Sequence, residues 1–123
     1  MNSKPTPPHQ SSELLENNKQ LVHNFVNDVL NKHDISAADK YFAQDPKPFK
    51  EFLCGFFQRY SDSHTAIENV LAEDDKVFVM MTNTATDDQT GKRVTIKAAD
   101  LFRIENSKFV EHWDVVDRSE MTL

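Results

Sequence analysis

Leu14, Leu21, Val22, Phe25, Val26, Val29 and Leu30 recur at spacings of three and four, which predicts one helical stripe of about five turns from Ser12. Asn31-Lys32-His33 ends it with a basic last turn that suits the helix dipole. Asp34 or Ser36 then caps a short second helix through Ala37, Ala38, Tyr41 and Phe42. Asp45-Pro46, with Pro48 behind it, starts a third helix running to about Tyr60, because proline in a first turn gives up no helical hydrogen bond. Phe49, Phe52, Leu53, Phe56, Phe57 and Tyr60 share one face of it. Gly55 costs about 1 kcal/mol of helix propensity against alanine, which predicts a second backbone close by. Cys54 beside it reads as an inert, buried thiol.

After Ser61-Asp62-Ser63 the period becomes two. Strands are expected at His64 to Ala72, Lys76 to Ala85, Arg93 to Glu105 and Lys108 to Asp117, separated by Glu73-Asp74-Asp75, Asp87 to Gly91, and Asn106-Ser107. Links this short join antiparallel neighbours. The fold class is therefore α+β, with three N-terminal helices packed into a strongly curved four-stranded antiparallel sheet that bends to bury the phenylalanines. MNSKPTPPHQSS holds three of the five prolines and no apolar period, so residues 1–12 are expected to form a flexible N-terminal arm and 13–123 a single domain.

Composition narrows the chemistry. A chain of 123 residues has room for one core. Its two glycines, Gly55 and Gly91, cannot write a dinucleotide fingerprint, a phosphate loop or a nucleophile elbow. One cysteine and no H-E-x-x-H leave no disulfide framework and no familiar zinc signature, so neither metal nor cofactor is expected. A net charge of −6 disfavours nucleic acid and anionic membrane as partners. No apolar run reaches the roughly 18–20 residues of a spanning helix. A free thiol without an export signal favours a cytoplasmic location.

Candidate chemistry gathers in Glu111-His112-Trp113-Asp114-Val115-Val116-Asp117. Alternation puts His112 and Asp114 on one strand face and Glu111, Trp113 and Val115 on the other. A histidine and a carboxylate on one face serve acid/base work if they point into a pocket, and are merely solvated if they point outward. Asp100 shares a face with Val94, Ile96, Ala98, Phe102 and Ile104, where an acid is costly unless paired or used. A two-residue loop at Asn106-Ser107 sets Asp100 opposite Trp113; a three-residue loop with a bulge sets it opposite Asp114, where two crowded carboxylates should raise at least one pKa. Both registers fit the sequence. His9, His23 and His33 read as neutral or structural, and Met80-Met81 as core or adaptable pocket wall.

The segment Ala99-Asp100-Leu101-Phe102-Arg103-Ile104-Glu105 through Glu111-His112-Trp113-Asp114-Val115 resembles the signature of SnoaL-like proteins, the polyketide-cyclase branch of the nuclear-transport-factor-2-like superfamily. Leu21 to Asp34 followed by Tyr41-Phe42-Ala43 is similar to the family's first two helices, and Val70 to Val77 to its first hairpin. The resemblance implies a curved sheet closed by helices into a cone-shaped half barrel, with a pocket for a small hydrophobic molecule and a homodimer formed through the outer sheet face. It also implies cofactor-independent acid/base chemistry on a carbonyl compound, such as aldol-type ring closure, isomerisation or lysis. Asp114 would then be the proton shuttle, assisted by Asp100 and His112, with Trp113, Phe102, Phe56, Tyr41 and Met80 lining the pocket.

The chain departs from that pattern where Tyr41-Phe42-Ala43-Gln44 passes almost directly to Asp45-Pro46. Relatives carry a longer, histidine-bearing stretch there. Ser107 also replaces the usual turn glycine. Two readings follow: a working acid/base enzyme, or a non-catalytic ligand-binding or dimerisation module of the same fold whose site the shortening has degraded. An RNA or transport adaptor is disfavoured by the charge.

Overall fold

The structure is a computed structural model that describes residues 12–121; residues 1–11 of the expected arm lie outside the described residues. Helix α1 spans Ser12–Phe25 and continues as a π-helical stretch, Val26–Asn31. A 3₁₀ helix, Ile35–Lys40, follows, its first turn capped by Asp34, which accepts from the Ala37 N–H. Helix α2 spans Lys47–Arg59 with Pro48 in its first turn. The strands β1 (His64–Glu73), β2 (Lys76–Thr86), β3 (Arg93–Glu105) and β4 (Lys108–Val116) form one antiparallel sheet in sequence order. This is the α+β architecture that the change of period predicts.

The helices fill the concave face of the sheet. Phe25 is the hub of the core, 1% exposed, with its ring 5.3–5.9 Å from those of Tyr41, Phe42, Phe49, Phe102 and Phe109. Val77, Val79 and Phe102, fully buried, supply the sheet side. The expected continuous α-helix ends instead in the wider π turn. Its last residue, Asn31, holds both backbone groups of Thr65: Nδ2 donates to the Thr65 carbonyl at 3.0 Å and Oδ1 accepts from the Thr65 N–H at 2.7 Å. The helix end is thereby fastened to β1.

Two expectations for α2 are corrected. Cys54 is exposed, because it points about 100° around the helix from the buried Leu53 and about 160° from the buried Phe56. Nothing lies within 4 Å of a Cβ built on Gly55, so no second backbone approaches there.

The C-terminal end of α2 is pinned to the β2–β3 loop. Arg59 grips Asp87 through two parallel hydrogen bonds of 2.7 and 2.8 Å, and Asp87 also accepts from the N–H groups of Gln89 and Thr90. The Arg59 guanidinium holds the Asp87 carboxyl down at about 2. A depressed carboxylate stabilises the fold fully above its ordinary value near 4 and loses that contribution as pH falls toward 2. Asp87→Asn is therefore expected to lower the thermal midpoint at pH 7 by roughly 5 °C or more, with the gap to the parent closing below about pH 3. Melting curves across pH 2–7 check this; a gap independent of pH would contradict it.

The β3–β4 hairpin decides the orientation of the candidate residues. Asn106 and Ser107 both take left-handed backbone angles (φ 51° and 60°) in a two-residue turn that pairs Glu105 with Lys108. One bulge follows, since Ile104 pairs with Phe109 but Arg103 pairs with Glu111, leaving Val110 unmatched. Beyond it Asp100 lies opposite Asp114. The short loop of one expected register thus coexists with the pairing of the other. The bulge is held from the far edge of β4, where Phe109 donates to the Tyr41 carbonyl (2.7 Å) and accepts from the Ala43 N–H (2.9 Å).

Candidate active site

Because of the bulge, β4 turns Phe109, His112, Asp114 and Val116 inward, while Trp113 and Val115 face outward, 48% and 74% exposed. Between α2 and the inner faces of β2, β3 and β4 lies a cavity of about 100 Å³. Phe49, Phe52, Leu53, Phe56 and Phe57 of α2 form its aromatic wall. Met81, Ile96, Ala98 and Val116 line the sheet side, and Leu30 reaches in from the π turn. The remaining walls are polar at two places: Asp100 with Asp114, and Ser63 with Thr65 and Asn83.

Asp100 is buried on the sheet floor, 8% exposed, and its Oδ2 lies 3.1 Å from Nε2 of His112. His112 sits behind Asp100 and contributes nothing to the wall of this cavity. Its ring stacks on Phe102 (4.6 Å between centroids, 3° between planes), with Phe42 and Phe49 each 6.0 Å away. The imidazole is held in an aromatic box that fixes the direction of its hydrogen bond. Asp114 is exposed at the cavity mouth and takes no hydrogen bond or ion pair from a described residue.

Polar atoms of Asp100, His112 and Asp114 all lie within 4.8 Å of one another. Among the described residues this is the one group that could ligate a cation. One Asp100 oxygen is already committed to His112. The arrangement offers the parts of a proton-transfer site: an accessible carboxylate, a second carboxylate across the strand pair, and a histidine that orients the second.

Of the residues expected to line the pocket, Phe56 does so. Met80 and Trp113 do not, because period two carries both to the outer face, where they are 42% and 48% exposed. Phe102 is fully buried beneath His112. Tyr41 packs its ring between Phe25 and Phe109 and donates its hydroxyl to the Asp28 carboxylate. Burial and that bond push its phenol up to about 12. Tyr41 is a structural residue of the core. Asn83 is a wall residue outside the expected set, although a polar side chain in the inward series Val77, Val79, Met81, Asn83, Ala85 carries the same signal as Asp100.

The helix-filled, curved antiparallel sheet with a cavity on its concave side is the cone of the nuclear-transport-factor-2-like fold. The family model described as SnoaL-like polyketide cyclase matches residues 20–122, and the chain belongs to that family. Solved structures agree on the fold. AclR from Streptomyces galilaeus, proposed to be a hydroxylase, superposes with a TM-score of 0.80 at 24% identity, over 85% of this chain and 92% of that one. A proposed polyketide cyclase from Acidithiobacillus ferrooxidans gives 0.73 at 23% identity, over 83% and 89%. IdmH from Streptomyces antibioticus, also a proposed polyketide cyclase, gives 0.77 at 13% identity, over 85% and 94%. No protein of curated function matches the chain.

Proposed function

We propose that this protein binds a small hydrophobic carbonyl compound in the cavity and catalyses cofactor-free acid/base chemistry on it, of the cyclase, isomerase or lyase kind. The observation that carries this reading is the pairing of Asp100 with Asp114 at one end of a cavity whose α2 wall is largely aromatic. In the proposed step the Asp114 carboxylate takes the proton from the carbon next to the carbonyl, and the C–H electron pair moves onto the carbonyl oxygen as an enolate. A proton shared by the hydrogen-bonded Asp100 and His112 is presented to that oxygen. In ring closure the enolate carbon bonds to a second carbonyl carbon of the same molecule, and the resulting alkoxide takes back the proton from Asp114. No oxidant or reductant enters the balance.

The test is proton exchange. With 4-phenylbutan-2-one in D₂O, ¹H NMR is expected to show protein-dependent loss of the protons next to the carbonyl, unaffected by EDTA. A second reading, ligand binding without turnover, is favoured by the exposure of Asp114, since water competes there. Saturable binding of the ketone without exchange would select it.

The outer sheet face supports a homodimer. Two adjacent cross-strand rows, Leu71-Phe78-Leu101-Trp113 and Asn69-Met80-Ala99-Val115, make a largely apolar patch across all four strands. Charges of both signs rim it, with Lys76, Arg103 and Glu111 on one side and Glu68 and Lys97 on the other. A twofold-related copy can match apolar patch to patch and pair opposite charges at the rims. Trp113→Asp combined with Val115→Asp is expected to shift sedimentation equilibrium from dimer to monomer; a parent chain monomeric at 100 µM would refute the interface. Among the described residues no helix is long and apolar enough to cross a membrane. The exposed free thiol of Cys54 suits a reducing compartment such as the cytoplasm.

A further inference from the structure

The polar end of the cavity remote from the carboxylates contains a buried group without a partner. Asn83 donates its Nδ2 to Thr65 Oγ1 at 3.0 Å, but its Oδ1 is shut off from solvent and, among the described residues, is the one buried side-chain polar atom with no hydrogen bond. An orphaned buried acceptor is costly, and the cost would vanish with an apolar side chain of similar size.

Its surroundings are tied down. Thr65 is clamped on both backbone groups by Asn31. Ser63 is held through its carbonyl and hydroxyl oxygens, 2.9 and 3.2 Å from His33 Nε2, and the His33 ring stacks on Phe57 (4.1 Å between centroids, 9° between planes). A ligand in the cavity that Asn83 lines is the group placed to supply a partner once the side-chain amide turns toward it.

The strand register sets the spacing. Asn83 pairs with Ile96, four residues before Asp100 on the same face of β3, which puts the two polar ends about 13 Å apart along the strand at the backbone. Between them the floor is Met81 and Ala98, and the small Ala98 leaves a passage open.

We propose that Asn83, backed by Thr65, is a second ligand-binding subsite that hydrogen-bonds a hydroxyl at the far end of the substrate. The preferred ligands are then narrow, elongated carbonyl compounds with the carbonyl at one end and a hydroxyl at the other, such as a single ring on a short chain. A hydroxyl satisfies the side-chain amide in either of its orientations, because it both donates and accepts. This rests on the proposed carbonyl-binding function for the opposite end.

The test compares two ketones on the full chain by calorimetry: 4-phenylbutan-2-one and 4-(4-hydroxyphenyl)butan-2-one, which differ by the distal hydroxyl alone. The hydroxylated ketone is expected to bind roughly 3- to 10-fold more tightly to the parent. Asn83→Leu should erase that preference while holding or raising the thermal midpoint, which a merely structural hydrogen-bonding residue would not allow. Should leucine not be accommodated, Asn83→Ala serves in the same comparison. Equal binding of both ketones to the parent, or a preference that survives substitution of Asn83, overturns the proposal. Failure of the acid/base reading looks different: the binding preference persists and proton exchange is absent.

Discussion

Asp114→Asn is expected to slow protein-catalysed exchange of the ketone protons by roughly 10²- to 10⁴-fold, the usual range for a lost general base. The side chain keeps its shape and loses its basic oxygen. Because Asp114 is exposed and takes no hydrogen bond from a described residue, the variant should fold and melt like the parent, within about 0.5 kcal/mol. Ketone affinity should change far less than rate, since apolar side chains make up most of the lining. NMR-detected exchange and a melting curve on the same sample separate these effects. Unchanged exchange in a folded variant would remove Asp114 from the mechanism.

Phe102→Ala should produce the largest loss of stability, about 3–5 kcal/mol, because a fully buried ring is deleted where it packs on Phe25, Phe109 and His112. That is a large share of the roughly 5–15 kcal/mol that holds a domain of this size together. The same deletion removes the flat surface on which His112 stacks, so Asp100 loses its fixed partner. Urea unfolding measures the first effect. A loss under about 1 kcal/mol would mean that the core closes over the gap and that Phe102 does not support His112 as described.

The helices and strands were legible because their apolar periods are clean. Alternation along β3 put Asp100 among apolar neighbours, and alternation along β4 put His112 beside Asp114 and opposite in direction to Trp113. Expecting Trp113 in the pocket set the family motif against that alternation, and the exposed indole shows that the period prevailed. The choice between Trp113 and Asp114 as the residue opposite Asp100 was not legible. It depends on the bulge at Val110, which is fixed by the 41–43 segment bonding to Phe109, a contact between residues far apart in the chain. Cys54 illustrates another limit: its residue type favours burial, but its angular position on α2 decides its exposure. Asn83 was readable by the rule that singled out Asp100, and only its missing partner required coordinates.

The central claim is that the two carboxylates receive the carbonyl end of a small molecule inside the cone. A crystal structure of the protein with 4-(4-hydroxyphenyl)butan-2-one bound tests it most directly. The account predicts the carbon next to the carbonyl within roughly 3–3.5 Å of an Asp114 carboxylate oxygen, the carbonyl oxygen against Asp100, and the phenol hydroxyl against Asn83. A ketone seated on the outer sheet face, or one in the cavity with its carbonyl turned away from Asp100 and Asp114, would contradict it.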